Sequence, residues 1–126
     1  MPLTHSTPEA PPEEQAYSHA TEANGFLFTA GQIPMTSEGE LIEGSVAEKT
    51  HRIMENLASI LAEAGAEFDD VVKTTAYFTD VADFPEMDEA YAEYFDDGYP
   101  ARDVIEVEAL PADASLELVM VAAVDE

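Results

Sequence analysis

Two side chains near the C-terminus carry most of the chemistry this chain offers. Arg102 is the only basic residue after Lys73, although the same stretch holds fifteen Asp and Glu side chains. A lone cation in so acidic a background points to a specific anionic partner, since a planar guanidinium grips a carboxylate through two parallel hydrogen bonds. The competing role is a structural ion pair with a nearby acid. Glu117 lies in residues 115–124, a run with apolar side chains on both faces that reads as a strand. A carboxylate desolvated there has a raised pKa, which suits a group that must accept and then donate a proton. Its competing role is a buried salt bridge, with Arg102 among the candidate partners.

Other residues offer less. Tyr17 can present a hydroxyl to a ligand or simply pack in a half-buried strand. Asp88, on a helix with Glu86, Glu89 and Glu93, reads as part of a solvated face. Gly31, in Ala30-Gly31-Gln32-Ile33-Pro34, permits positive φ or the close approach of another backbone or a ligand. His19 and His51 lack metal-ligand spacing and there are no cysteines, so neither a metal nor a thiol nucleophile is expected. Phosphate-binding loops and dinucleotide fingerprints are absent, and no cofactor is expected.

These groups must be positioned by one small domain. The chain has 126 residues, 46% apolar and 25% charged, enough for a single core. Its net charge of −24, from 28 acids against 4 Lys and Arg, repels polyanions, which argues against nucleic acid and anionic membranes as partners. Such self-repulsion is relieved by salt, and a halophilic source with a salt-rich cytoplasm is expected. No apolar run is long enough to span a membrane and no leader pattern opens the chain, so a cytoplasmic location is expected.

Residues 1–14, with four prolines and three glutamates, read as a flexible head, leaving 15–126 as the domain. Strands are expected at 16–23 and 26–30 around the Asn24-Gly25 hairpin signal, with a possible short strand at Leu41-Ile42. Ser45 and Glu48 form a capping box ahead of Ile53, Met54, Leu57, Ile60, Leu61 and Ala64 at helical spacing. A strand over 71–79, a helix over about 83–95 with Phe84, Met87, Tyr91, Tyr94 and Phe95 on one apolar stripe, a strand near 103–109, a turn at 111–114 and a strand over 115–124 complete the order. This is an α+β arrangement with two helices over one sheet face. The last strand is apolar on both sides, so the second face is expected to be buried against other subunits of a closed oligomer.

Taken together, Tyr17-Ser18, residues 29–34, Glu55-Asn56-Leu57, residues 70–75, residues 91–95, Pro100-Ala101-Arg102, Leu110-Pro111 and Leu116-Glu117 resemble the Rid family of reactive intermediate deaminases, also called YjgF-like. The resemblance runs in one order from about residue 15 to 124. It implies a chorismate-mutase-like α+β fold with a mixed, mostly antiparallel sheet, assembled as a homotrimer with sites between subunits. It further implies cofactor-free hydrolysis of enamines and imines such as 2-aminoacrylate to 2-oxo acids and ammonia. Arg102 falls on the arginine that holds the substrate carboxylate and Glu117 on the glutamate that handles water. Tyr17, Ala30 and Gly31 fall on the cleft wall. The remaining substrate-binding positions depart from the commoner residues: Asp88 stands where many members have asparagine, and Val104 where they have cysteine. An ionised Asp88 there would repel an anionic substrate. A trimer that binds 2-oxo acids as a regulator, without turnover, is the alternative. An RNA-cleaving role fits the acidic surface poorly.

Overall fold

A computed structural model describes residues 2–124. Its order is β1 (Leu3–His5), β2 (Ala20–Ala23), β3 (Phe26–Thr29), α1 (Val46–Glu63), β4 (Val71–Phe78), α2 (Phe84–Ala92), β5 (Ala101–Glu106) and β6 (Leu116–Ala123). The strands form one sheet in the order β1-β2-β3-β6-β4-β5. Every pairing is antiparallel except β4 with β5, which α2 joins as a crossover. The α+β architecture and the mixed sheet with two helices are as expected.

Local chemistry explains the boundaries. Asn24 (φ 53°) and Gly25 (φ 82°) both adopt the left-handed conformation that a two-residue hairpin loop demands. Ser45 accepts from the Glu48 amide while the Glu48 carboxylate accepts from the Ser45 amide, a reciprocal box that fixes the start of α1. Glu86 of α2 accepts from the Ala47 amide, tying the two helices together at that end. Helix α2 is shorter than expected: Tyr94 and Phe95 continue the apolar stripe in the turns that follow it. Strand β5 starts two residues earlier than the pattern suggested. Leu41 makes only an isolated bridge to Met35.

The alternation of β6 separates the two sheet faces. Leu116, Leu118, Met120 and Ala122 are buried beneath Ile53, Leu57, Ile60 and Leu61 of α1 and Met87 and Tyr91 of α2. Glu117, Val119 and Val121 face the other way and are half-buried. That second face also carries Phe28, paired with Val121, and Ile105; these side chains are 47% and 39% exposed. No described element covers it.

The largest departure concerns the head. Within the segment expected to be a flexible head, residues 2–14 carry an edge strand and a packed loop. Leu3, Thr4 and His5 pair with Glu22, Thr21 and Ala20, and Ala10 is buried in the core. The anchor is His19, 2% exposed. Its Nδ1 accepts from the Thr7 amide at 3.1 Å, which leaves Nε2 as the protonated nitrogen, donating to the Pro11 carbonyl at 2.6 Å. Glu13 accepts from the His19 amide and the Ser6 hydroxyl. Buried hydrogen bonds supplied from outside the segment thus outweigh its Pro-rich composition.

Candidate functional site

Glu117 sits where the sheet is locally interrupted. The β3–β6 ladder pairs Phe28 with Val121, and the next pairing, Gln32 with Leu118, is displaced by one residue. Within this bulge the Thr29 hydroxyl accepts from the Met120 amide, satisfying a donor the ladder abandons. The bulge brings Gly31 against the Glu117 side chain. A Cβ on residue 31 would stand 2.5 Å from Glu117 Oε2 and 2.6 Å from its carboxyl carbon. Close approach, one of the two reasons for a glycine here, is therefore the operative one, and φ is not positive.

Around this carboxylate lies a cleft of about 430 Å³. Ala30, Gly31, Gln32, Ile33 and Met35 form one wall, Pro11, Pro12, Gln15 and Tyr17 a second, and Pro111 and Ala112 a third. The lining is largely apolar, and among the described residues its only charged side chains are Glu14 and Glu117. Burial pushes the Glu117 carboxyl above the ordinary carboxylate range. Tyr17 donates its hydroxyl to the Pro12 carbonyl at 3.1 Å. Burial, followed by the charges of Glu13 and Glu14, raises its pKa and keeps the phenol a donor. Ala112 (φ 57°) and Asp113 (φ 60°) are consecutive non-glycine residues in the left-handed region, strain that recurs where a site is being shaped.

Arg102 is elsewhere. On β4, Thr74 pairs with both Arg102 and Met120, whereas Tyr77 pairs with Glu117. Arg102 therefore belongs to the helix-covered face at the β5 edge and Glu117 to the open face. Two side chains on opposite faces of one sheet cannot share a ligand within a single chain. The salt bridge between them does not form. Arg102 Nη1 donates instead to Asp88 Oδ1 at 2.7 Å, so the structural ion pair weighed as its competing role is present, and Asp88 is a partner rather than a merely solvated acid. The guanidinium carbon lies 5.0 Å from the ring centroids of both Phe84 and Tyr91. The Tyr91 hydroxyl is itself held by donation to Thr74 Oγ1 at 2.9 Å, and burial raises its pKa. Val104, two residues on along the same face of β5, packs against the core.

The seven residues read as a site thus fall into two groups. Tyr17, Ala30, Gly31 and Glu117 share the cleft; Arg102, Asp88 and Val104 share the α2–β5 corner. Sequence reasoning missed Pro11, Pro12, Met35 and Ala112 in the cleft, and Phe84 and Tyr91 against Arg102. The aromatics carried a signal, being on the α2 stripe, but it read only as core. The prolines carried the opposite signal.

The sequence profile of the family described as Endoribonuclease L-PSP matches residues 7–124. Over 117 residues the chain is 45% identical to a RutC family protein of Pyrococcus abyssi, covering 92% of each. Over 118 residues it is 38% identical to the chloroplastic Reactive Intermediate Deaminase A of Arabidopsis thaliana, covering 93% of this chain and 63% of that one. Among solved structures, yeast Mmf1 matches with a TM-score of 0.96 at 34% identity, over 99% of this chain and 100% of that one. Escherichia coli TdcF with bound serine matches with a TM-score of 0.91 at 30% identity, over 98% and 99%.

Proposed function

The chain belongs to the Endoribonuclease L-PSP family, the group also called YjgF-like or Rid, and on that premise we propose that it hydrolyses reactive, carboxylate-bearing enamines and imines such as 2-aminoacrylate to 2-oxo acids and ammonia. The observation that carries this reading is the half-buried Glu117, packed on Gly31 in a cleft whose wall holds no cation among the described residues. A raised carboxyl pKa fits a group that takes a proton from water and returns it to the departing nitrogen. The imine carbon is electrophilic once its nitrogen is protonated, so orientation and proton transfer suffice.

The missing cation is Arg102 of a neighbouring copy. In this proposal three chains close on their open, apolar sheet faces, and the α2–β5 corner of one meets the Glu117 cleft of the next. Arg102 then holds the substrate carboxylate while Glu117 manages water and ammonia, with Tyr17, Ala30 and Gly31 as wall. No described helix is long and apolar enough to cross a membrane. We place the reaction in the cytoplasm, at the high salt that a net charge of −24 calls for.

Release of 2-oxo acid from freshly generated 2-aminoacrylate, followed at high salt, tests the proposal. Wild type should exceed both buffer and Arg102→Ala; equal rates for all three would sink it. A second reading keeps the same assembly as a trimer that binds 2-oxo acids as a regulator, without turnover, with Arg102 again holding the ligand carboxylate. Ligand-dependent rises in Tm that need Arg102, without catalysis, would select that reading.

A further inference from the structure

Arg102 is not a bare cation, and the character of its partner bears on which ligands it accepts. One terminal nitrogen is committed to Asp88 at 2.7 Å. The two aromatic rings on which the guanidinium rests, Phe84 and Tyr91, limit how far it can swing away. Asp88 is 47% exposed and bonds to no other described side chain, so it stays open to a second cation. Lys73, one position along β4 from the Arg102 pairing, is already engaged by Asp103 at 3.0 Å and does not offset it. The corner therefore presents a donor fork and a carboxylate side by side, with no net charge.

Resting on the clamp role proposed above, we propose that Asp88 makes this site selective for zwitterionic ligands and helps expel the anionic product. A protonated 2-imino acid carries one positive nitrogen and one carboxylate. Water adds to its imine carbon and the C–N bond breaks, leaving a 2-oxo acid monoanion and ammonium, so charge balances across the step. Before hydrolysis the ligand's nitrogen is attracted to Asp88 while its carboxylate meets the remaining Arg102 donors. After hydrolysis the nitrogen is gone, and the product carboxylate faces Asp88 uncompensated. An asparagine at residue 88 would make neither distinction. Asp88 acts here as a specificity residue.

The test compares two ligands of equal carbon skeleton, zwitterionic L-2-aminobutanoate and anionic 2-oxobutanoate, by calorimetry on the intact protein at moderate and molar salt. Wild type should prefer the amino acid. Asp88→Asn should tighten 2-oxobutanoate about tenfold and weaken the amino acid, narrowing or reversing the preference, with the larger change at moderate salt. Asp88→Glu should restore the preference, which a purely structural role for residue 88 would not require. An unchanged ratio in Asp88→Asn, with both ligands lost in Arg102→Ala, overturns the selectivity and leaves the clamp standing. Wild-type binding of both ligands by Arg102→Ala overturns the clamp, and the selectivity with it. Failure of wild type to bind either ligand at millimolar concentration overturns both.

Discussion

Glu117 and Arg102 are two strands apart in the same sheet, β4 lying between theirs, and they are made ready in opposite ways. Glu117 is shaped by removal: no Cβ on Gly31, no cation among the described residues of the cleft wall and partial loss of water from the carboxylate. Arg102 is shaped by supply: a carboxylate at 2.7 Å and two aromatic rings beneath the guanidinium. The difference follows from what each group would have to do. A proton carrier gains from an environment that disfavours its charge, whereas an anion clamp must keep its charge and its plane fixed. The cleft should therefore respond most to steric and solvation changes, and the corner to changes of charge.

The largest expected effect is on the cleft. Glu117→Gln should lower 2-oxo acid formation roughly a thousandfold while leaving KM close to wild type. The same change should raise Tm. Folding lifts the Glu117 pKa above its unfolded value, near 4.5, so the native state binds the proton more readily than the unfolded chain. Ionisation then costs stability, progressively as pH rises from the unfolded value through the folded one, and fully above it. The Tm advantage of the glutamine variant should accordingly be absent at low pH and grow with rising pH; a constant difference would break the comparison.

Arg102→Ala should cost about a hundredfold in kcat/KM, mainly through KM, because it removes orientation rather than proton transfer. Gly31→Ala should cost about tenfold to a hundredfold in kcat, since the new Cβ must push the Glu117 carboxylate aside. Its effect on Tm should be small, because the obstructing atoms are the end of a flexible side chain. Activity lost together with several kcal/mol of stability would instead make the Gly31 contact a matter of packing. The smallest effect on turnover should come from His19→Ala, a few-fold at most. That variant leaves the Thr7 amide and Pro11 carbonyl without partners, costing about 2 kcal/mol and speeding amide exchange across residues 7–13. Unchanged exchange there would mean that His19 does not hold the cleft's outer wall.

Much of the frame is legible along the chain because it depends on neighbours in sequence. The Ser45–Glu48 box, the Asn24-Gly25 loop, the helical spacing of α1 and the alternation of β6 are each local, and the structure places each close to where the pattern does. The contacts of the head are not legible there, for the complementary reason. Four prolines describe what the segment cannot do alone, while the His19 hydrogen bonds and the β1–β2 pairing that order it come from residues farther along. Likewise Phe84 and Tyr91 register as an apolar stripe in any helix, and only the β4–β5 pairing sets a guanidinium upon them.

By itself the sequence determined the chemical inventory: one isolated arginine, one acid in an apolar strand, one glycine ahead of Gln32, and a large excess of acids. Tertiary structure alone decided how these are shared out. Residue type and spacing report which side of its own strand a side chain takes, but the face of the sheet to which that side corresponds depends on strand order and register. Here the order β6-β4-β5, with Thr74 opposite Arg102 and Tyr77 opposite Glu117, puts the cation and the acid on opposite faces and leaves Asp88 as the carboxylate that Arg102 meets.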